Sequence, residues 1–290
     1  MNFKKYETKG QFLEENLEIL LKDEAKNEIM IGILLEHDEA KVNNWTIGRI
    51  EDNGDVKLIF LVDDDRQGLL VYSLEELLSD EVVNCLVDNI INLNVKLKDV
   101  LTSKECAIKI ANLYSQKTGI SMTIDQYMYI LILDEYQNEY LLSDGERLEK
   151  LENDEKYLKI LEPNIKEMYA DNFRGKYCSD EDATRVAKIF LKKGIYVLKN
   201  QNGEIVSQAV TVRKQINGCA LGGVITLKEH RGHGYAKRAV YTICDMLLKQ
   251  GYKYVVLHVN SLNEPAISLY NKIGFKKIDE TAKIKFAYND

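Results

Sequence analysis

Apolar residues recur at helical spacing from Gln11 to His37: Phe12, Leu13, Leu17, Leu20, Leu21, Ile29, Ile33 and Leu34. That predicts one or two helices. Asn43 to Ile50 and Val56 to Val62 read as strands split by the turn Glu51 to Asp55, and Leu69 to Tyr72 as a third. Ser73, with Glu76 in the capping-box position, predicts a helix running to about Leu93. A strand over Val95 to Val100, a helix over Ser103 to Gln116 and an aromatic-rich strand over Ile124 to Leu133 follow. The stretch Asp134 to Glu146 is polar and acidic, which places a domain boundary near Asn138 and predicts domains 1–137 and 138–290.

The second half repeats the order. A short strand at Leu148 leads into a helix reaching Phe173. Ser179 caps a helix to Lys193, with Asp180, Glu181 and Asp182 in its first turn, where the helix dipole favours them. Ile195 to Leu198 and Ile205 to Arg213 form a hairpin, and Cys219 to Leu227 is the next strand. A helix from Gly234 to Lys249, a buried strand from Tyr254 to Val259, a helix opened by Pro265 and closed by Gly274, and a last strand to about Ala287 complete it. The shared order suggests a degenerate internal duplication, with helix 74–93 matching helix 234–249. Any alternating α/β chain shows some such order, so pattern alone leaves the duplication open.

Composition narrows the class. The chain has 290 residues, 45% hydrophobic, with a net charge of −7. That is enough apolar matter for a packed core, and it lacks the basic stripe of a nucleic-acid binder. Five cysteines are scattered without a CxxC spacing, which points to free thiols in a reducing compartment. The N-terminal stretch has no apolar signal core and no uncharged run reaches membrane-spanning length, so the expectation is a soluble, cytoplasmic protein with no membrane partner. A homodimer is compatible with all of this.

The chemistry concentrates in Gly222 to Lys237, reading GGVITLKEHRGHGYAK. A strand ends in a glycine-rich turn that runs into a helix. Unpartnered amides at the helix start, with the dipole behind them, make an anion site, and glycines let the backbone approach it closely. The Walker A spacing is missing. In the Rossmann frame Lys237 stands where the third glycine is needed. His230 and His233 lack a third ligand, so no metal is expected.

The spacing that fits is R-x-x-G-x-[GA]: Arg231, Gly234, Ala236. It resembles the diphosphate motif of the GNAT N-acetyltransferase superfamily. The strand Gly223-Val224-Ile225-Thr226-Leu227 precedes it, and Asn263-x-x-Ala266-x-x-x-Tyr270-x-x-x-Gly274-Phe275 follows, similar to the second GNAT signature. The resemblance covers about Asn138 to Asp290 and implies an α/β (α+β) fold. The whole chain then resembles tandem GNAT proteins, two GNAT-like domains, each a mixed, mostly antiparallel twisted sheet flanked by helices. The N-terminal copy is degenerate and has no glycine-rich turn.

The resemblance implies an acyltransferase of the N-acetyltransferase type with acetyl-CoA as co-substrate and a small-molecule or peptide amine as acceptor. Backbone amides of Gly232, Gly234, Ala236 and their neighbours His233, Tyr235 and Lys237 would hold the diphosphate, with Arg231, Lys237 and Arg238 adding charge. Lys237 and Arg238 read equally as a solvated helix face. Val224 and Thr226 would bond the pantetheine arm through the main chain, a Val224 or Ile225 amide would polarise the thioester carbonyl, and Asn263 would bond the arm or cap its helix. Tyr270 would protonate the leaving thiolate, although among 17 tyrosines a core role is the plain alternative. The strand 219–227 has no carboxylate, so Glu204, Glu229, His258 or water stand as candidate bases. The acceptor pocket is expected from helix 153–173, the loop Phe173 to Cys178 and the N-terminal half, with Asp180 to Asp182 attracting a cation or only capping. A non-catalytic acyl-CoA sensor or scaffold is the alternative function.

Overall fold

The computed structural model describes residues 1–63, 67–172 and 177–288. It divides into two units, Met1–Ile130 with the described residues from Asp279 on, and Leu131–Ile278. In chain order the elements are β1 (Asn2–Tyr6), α1 (Lys9–Leu21), α2 (Glu28–Glu36), α3 (Glu39–Val42), β2 (Thr46–Asp52), β3 (Asp55–Val62), β4 (Gly68–Ser73), α4 (Asp80–Asn92), β5 (Asp99–Ser103), α5 (Lys104–Thr118) and β6 (Ser121–Leu133). The second series is β7 (Arg147–Lys150), α6 (Leu158–Asn172), α7 (Asp180–Lys193), β8 (Ile195–Lys199), β9 (Ile205–Lys214), β10 (Gly218–Thr226), α8 (Tyr235–Lys249), β11 (Tyr254–Asn260), α9 (Glu264–Ile273) and β12 (Lys276–Ala287).

Both series run strand, helices, a three-stranded antiparallel meander, helix, strand, helix, strand. Each places one parallel pair after its meander: β4 with β5, and β10 with β11. The other described pairings are antiparallel. The architecture is therefore mixed α/β with mostly antiparallel strands flanked by helices.

Sequence expectation and structure part at identifiable places. β1 was not predicted: only Tyr6 of its polar run is buried, and the strand exists because it pairs with β2. Ser73 is not a helix cap. Pairing with β3 carries β4 through Ser73, whose hydroxyl then closes a local turn on Glu75 (N to Oγ 3.2 Å, Oγ to O 2.7 Å). Such a turn competes with helix initiation, and the helix starts six residues later, where Ser79 accepts the Val82 amide at 3.3 Å. The strand expected over Val95 to Val100 is shifted to β5, because pairing with Gly68–Leu70 and with Thr281–Lys285 selects that stretch. The boundary read near Asn138 falls instead after Ile130, and Asp279 onward returns to the first unit through the β5 ladder. A composition shift cannot reveal so distant a pairing.

In the second unit α7 is strongly amphipathic. Its N-cap Ser179 accepts the Asp182 amide at 3.1 Å, and Ala183, Val186, Ala187, Phe190 and Leu191 are buried. They pack with Leu161 and Ile165 of α6 against Ile195, Val197, Val210 and Ile225 of the strands. Each large apolar side chain so buried contributes about 1.5–3 kcal/mol. Leu198 and Val206 point elsewhere and meet Ala239 of α8. This packing fixes β10 between its helices.

Candidate functional site

β10 and β11 run parallel over Gly218–Leu221 and Tyr254–Leu257, and their pairing stops there. On its other edge β10 pairs Gly222 with Val210 and Ile225 with Gln208, so Gly223 and Val224 form a bulge. Gly223 has φ +59°, and a Cβ there would lie 2.9 Å from the Phe190 ring and 3.0 Å from a Val210 methyl. Both the backbone angle and the space demand glycine. Past the bulge Thr226 faces Ser207, and the Leu227 amide bonds the Val206 carbonyl at 3.1 Å. That pattern turns the peptide groups of Thr226 away from β9.

The chain then makes a 3-10 turn at Lys228–His230 and enters α8. Gly232 (φ +84°) and Gly234 (φ +76°) carry the backbone through the left-handed region. Gly234 is the N-cap, with no side-chain cap bond and no acidic residue in the first turn. The first intrahelical bond runs from the Arg238 amide to the Gly234 carbonyl, 3.1 Å. Among the described residues the amides from Gly232 to Lys237 have no protein acceptor. Together with the helix dipole they form a site for an anion. The corresponding helix of the first unit, α4, has its start closed by Ser79 and carries Asp80 and Glu81 there.

The three cations expected around this cradle behave differently. Arg231 Nε donates to the Thr226 carbonyl at 3.0 Å, and Nη2 bonds Asp171 at 2.7 Å and Glu167. Its charge is spent on fastening α6 to the end of β10. Arg238 binds Glu146 through two bonds, 2.7 and 2.6 Å, and holds the His233 carbonyl at 3.0 Å. It braces the turn from behind. Lys237 has no carboxylate partner among the described residues; its ammonium lies 4.0 Å above the Tyr140 ring. Sequence reasoning could not separate these three, because their partners lie far away in the chain.

Glu146 yields a pH prediction. Burial pushes its carboxyl up, but the bonds from Arg238 and the Ser143 amide (2.9 Å) outweigh this and hold it below the usual carboxylate value. A depressed folded value means that the stabilisation is complete above the unfolded value, ~4.3, and is lost as pH falls through the folded one. Glu146→Gln should cost about 2 kcal/mol at pH 7 and less at a pH below the ordinary carboxylate value. Denaturant titrations of both proteins at the two pH values check it.

A cavity of about 560 Å³ opens at the cradle, lined by Val224, Ile225, Thr226, Arg231, Gly232, Gly234, Tyr235, Ala236, Lys237, Asn263 and Tyr270. These are the residues the motifs singled out, except His233. His233 does not line the cavity; its ring sits 5.9 Å from that of Tyr235. Met168, Asp171, Pro265, Ala266 and Leu269 complete the wall. The two from α6 had no signal in any motif, whereas the spacing of Pro265, Ala266 and Leu269 on the helix of Tyr270 could have found them.

Asn263 caps α9, its Oδ1 accepting the Ala266 amide at 3.2 Å. Tyr270 is 7% exposed, and its carbonyl takes the amides of Gly274 and Phe275 (3.2 and 3.1 Å), which fixes the helix end. Burial pushes the phenol well above its ordinary value, with the Cys244 thiol adding to the effect. Its hydroxyl has no protein partner among the described residues, and the residue lines the cavity.

Glu204, Glu229 and His258 are absent from the cavity wall. Glu204 is held by Asn200 at 2.7 Å in the β8–β9 turn. Among the described residues the single carboxylate in the wall is Asp171, which is bonded to Arg231. At the start of α7, Asp180 pairs with Lys166 and Asp182 with Arg185, so these acids serve the helix. Of the loop expected at the acceptor pocket, residues 173–176 lie outside the described residues. Among the described residues no group of three or more His, Cys, Asp or Glu is placed to hold a metal, and no helix is long and apolar enough to cross a membrane.

Residues 198–284 match a family model described as FR47-like protein. N-acetyltransferase 8B of Homo sapiens is 42% identical over 53 residues, 18% of this chain and 23% of its own length. N-acetyltransferase 8 of Rattus norvegicus is 31% identical over 112 residues, 36% of this chain and 50% of its own. The chain thus spans no more than half the length of these curated relatives. A solved tandem GNAT protein from the clavulanic acid biosynthesis pathway superposes over 100% of this chain and 99% of its own, with a TM-score of 0.58 at 14% identity. That likeness concerns the fold.

Proposed function

We propose that the chain, whose C-terminal region carries an FR47-like GNAT domain within a tandem GNAT fold, is an acetyl-CoA-dependent N-acetyltransferase. It moves the acetyl group to the primary amine of a small molecule or peptide by direct attack in a ternary complex. The observation that carries this reading is one cavity holding both an unpartnered set of helix-start amides and the buried phenol of Tyr270. The amides of Gly232 to Lys237 suit the diphosphate, with Lys237, which has no carboxylate partner among the described residues, adding its charge. The gap that opens between β10 and β11 past their described pairing suits the arm and its thioester.

The amine nitrogen attacks the thioester carbonyl carbon, and the carbon–sulfur bond breaks. The amide of Val224, at the bulge, faces the charge that develops on the carbonyl oxygen, since that of Ile225 is turned to Gln208 of β9. Tyr270 gives its proton to the departing sulfur. An alkyl ammonium must first lose a proton, at a cost of about 4 kcal/mol at pH 7. With Asp171 committed to Arg231, water carries that proton away.

Mass detection of the acetylated product across a panel of amines, with release of free thiol, tests the reading. Product with stoichiometric thiol supports it. CoA bound without turnover across a broad panel favours the sensor reading, for which the lack of an unpaired carboxylate among the described residues of the cavity wall speaks.

A further inference from the structure

The hydroxyls at the end of the strand gap are wired in one direction. Ser207 Oγ lies 2.8 Å from the Ile225 carbonyl oxygen. A carbonyl only accepts, so the single Ser207 proton goes there. Thr226 Oγ1 lies 3.2 Å from Ser207 Oγ. Since that proton is already committed, Thr226 is the donor in this pair. Thr226 Oγ1 is left with lone pairs alone to offer the cavity it lines.

The backbone of Thr226 is sorted in the same way. Its carbonyl is occupied by Arg231 Nε, 3.0 Å away. Its N–H is turned from β9 and has no protein acceptor among the described residues. Thr226 therefore meets a ligand with one donor, the N–H, and one acceptor, Oγ1. Ser207 is 1% exposed and cannot itself touch the ligand.

We infer that Thr226 selects an acyl donor whose arm carries secondary amides, accepting an arm N–H at Oγ1, and that Ser207 is the positioning residue that fixes this polarity. The inference rests on the CoA-dependent reading above. A plain alkyl thioester supplies no N–H to Oγ1, so the site discriminates by the arm as well as by the diphosphate. The expectation that Thr226 offers its main chain to the arm narrows accordingly: its carbonyl is already used.

The test measures the Kd of CoA by calorimetry and the KM and kcat for acetyl-CoA. Thr226→Val keeps the shape and the backbone N–H but removes the acceptor. It should raise Kd and KM about 3- to 10-fold, the worth of one neutral hydrogen bond, with kcat within about twofold. Thr226→Ser should restore wild-type values. Ser207→Ala frees the Thr226 proton to point into the cavity and should weaken binding in the same direction. The double variant should be no weaker than Thr226→Val alone, since both act through one bond. Thr226→Ala replaces Val if that variant does not fold. Wild-type affinity in Thr226→Val, equal losses in Val and Ser, or additive losses with Ser207→Ala each overturn the inference. If the wild type binds no CoA, the functional reading falls and takes this inference with it, whereas CoA binding indifferent to Thr226 removes the inference alone.

Discussion

Replacing Tyr270 with Phe is expected to lower the turnover of acetyl transfer by about 100- to 1,000-fold, in line with the contribution of a positioned general acid. The Kd for CoA should stay within about twofold, because a neutral hydrogen bond to the sulfur has little weight in the ground state. The separation follows from the surroundings of the phenol. Its ring packs edge-on to Phe275 at 5.6 Å, and α9 is fixed at its start by the Asn263 cap and at its end by the Tyr270 carbonyl. Phe therefore fits the same place, and only the proton is lost.

Taken alone, the raised phenol value opposes proton release, since a free thiol ionises at ~8.5. The burial that raises the phenol also penalises a thiolate formed beside it, so the two basicities rise together. The phenol stays protonated throughout the neutral range, and Tyr270 can act as an acid and not as a base. The pH–rate profile of kcat should accordingly show no limb from Tyr270 below its ordinary value, ~10. Unchanged turnover in Tyr270→Phe would remove the residue from the mechanism.

How much of this was legible follows from how far apart the interacting residues lie. The cradle is local: Arg231 to Lys237 holds its glycines, its helix start and its cation within one turn, so spacing alone locates it. The same is true of Asn263 to Phe275, where cap, proline, tyrosine and closing glycine share a single helix. The roles of Arg231 and Arg238 were not legible. Their partners, Glu167 with Asp171 and Glu146, lie more than 50 residues away in sequence. A motif records that an arginine is present but not which carboxylate neutralises it. Ser207 escaped for the same reason: its meaning depends on a register between β9 and β10 that a bulge displaces. On the first unit, capping chemistry at Ser73 lost to strand pairing, a tertiary decision that no local window contains.

Gly223→Ala is the second substitution with a large expected effect, and Gly232→Ala is its control. Both glycines have positive φ, +59° and +84°, so alanine at either carries a left-handed penalty of about 1–2 kcal/mol. Their surroundings differ. At Gly223 the new methyl would meet the Phe190 ring at 2.9 Å and the Val210 methyl at 3.0 Å, while at Gly232 nothing lies within 4 Å. Overpacking adds about 1–3 kcal/mol in the first case only. Gly223→Ala should therefore lose about 3 kcal/mol in all and lower Tm by roughly 6–12 °C for a unit of this size. Gly232→Ala should lose about 1 kcal/mol.

Ligand binding should order the two the other way. On the proposed reading the open space above Gly232 receives the diphosphate, so a methyl there should raise the CoA Kd about 10-fold or more as helix-start hydrogen bonds are lengthened. At Gly223 the methyl points at α7 and away from the cradle, so CoA affinity in the fraction that remains folded should change less. Phe190→Leu trims the obstacle and should recover part of the stability of Gly223→Ala but none of the affinity lost in Gly232→Ala. Thermal melts and calorimetry on the three variants decide it. Equal melting temperatures for the two alanine variants would mean that the bulge at Gly223 repacks freely, and the account of β10 as a rigid platform for Val224 and Ile225 would fall.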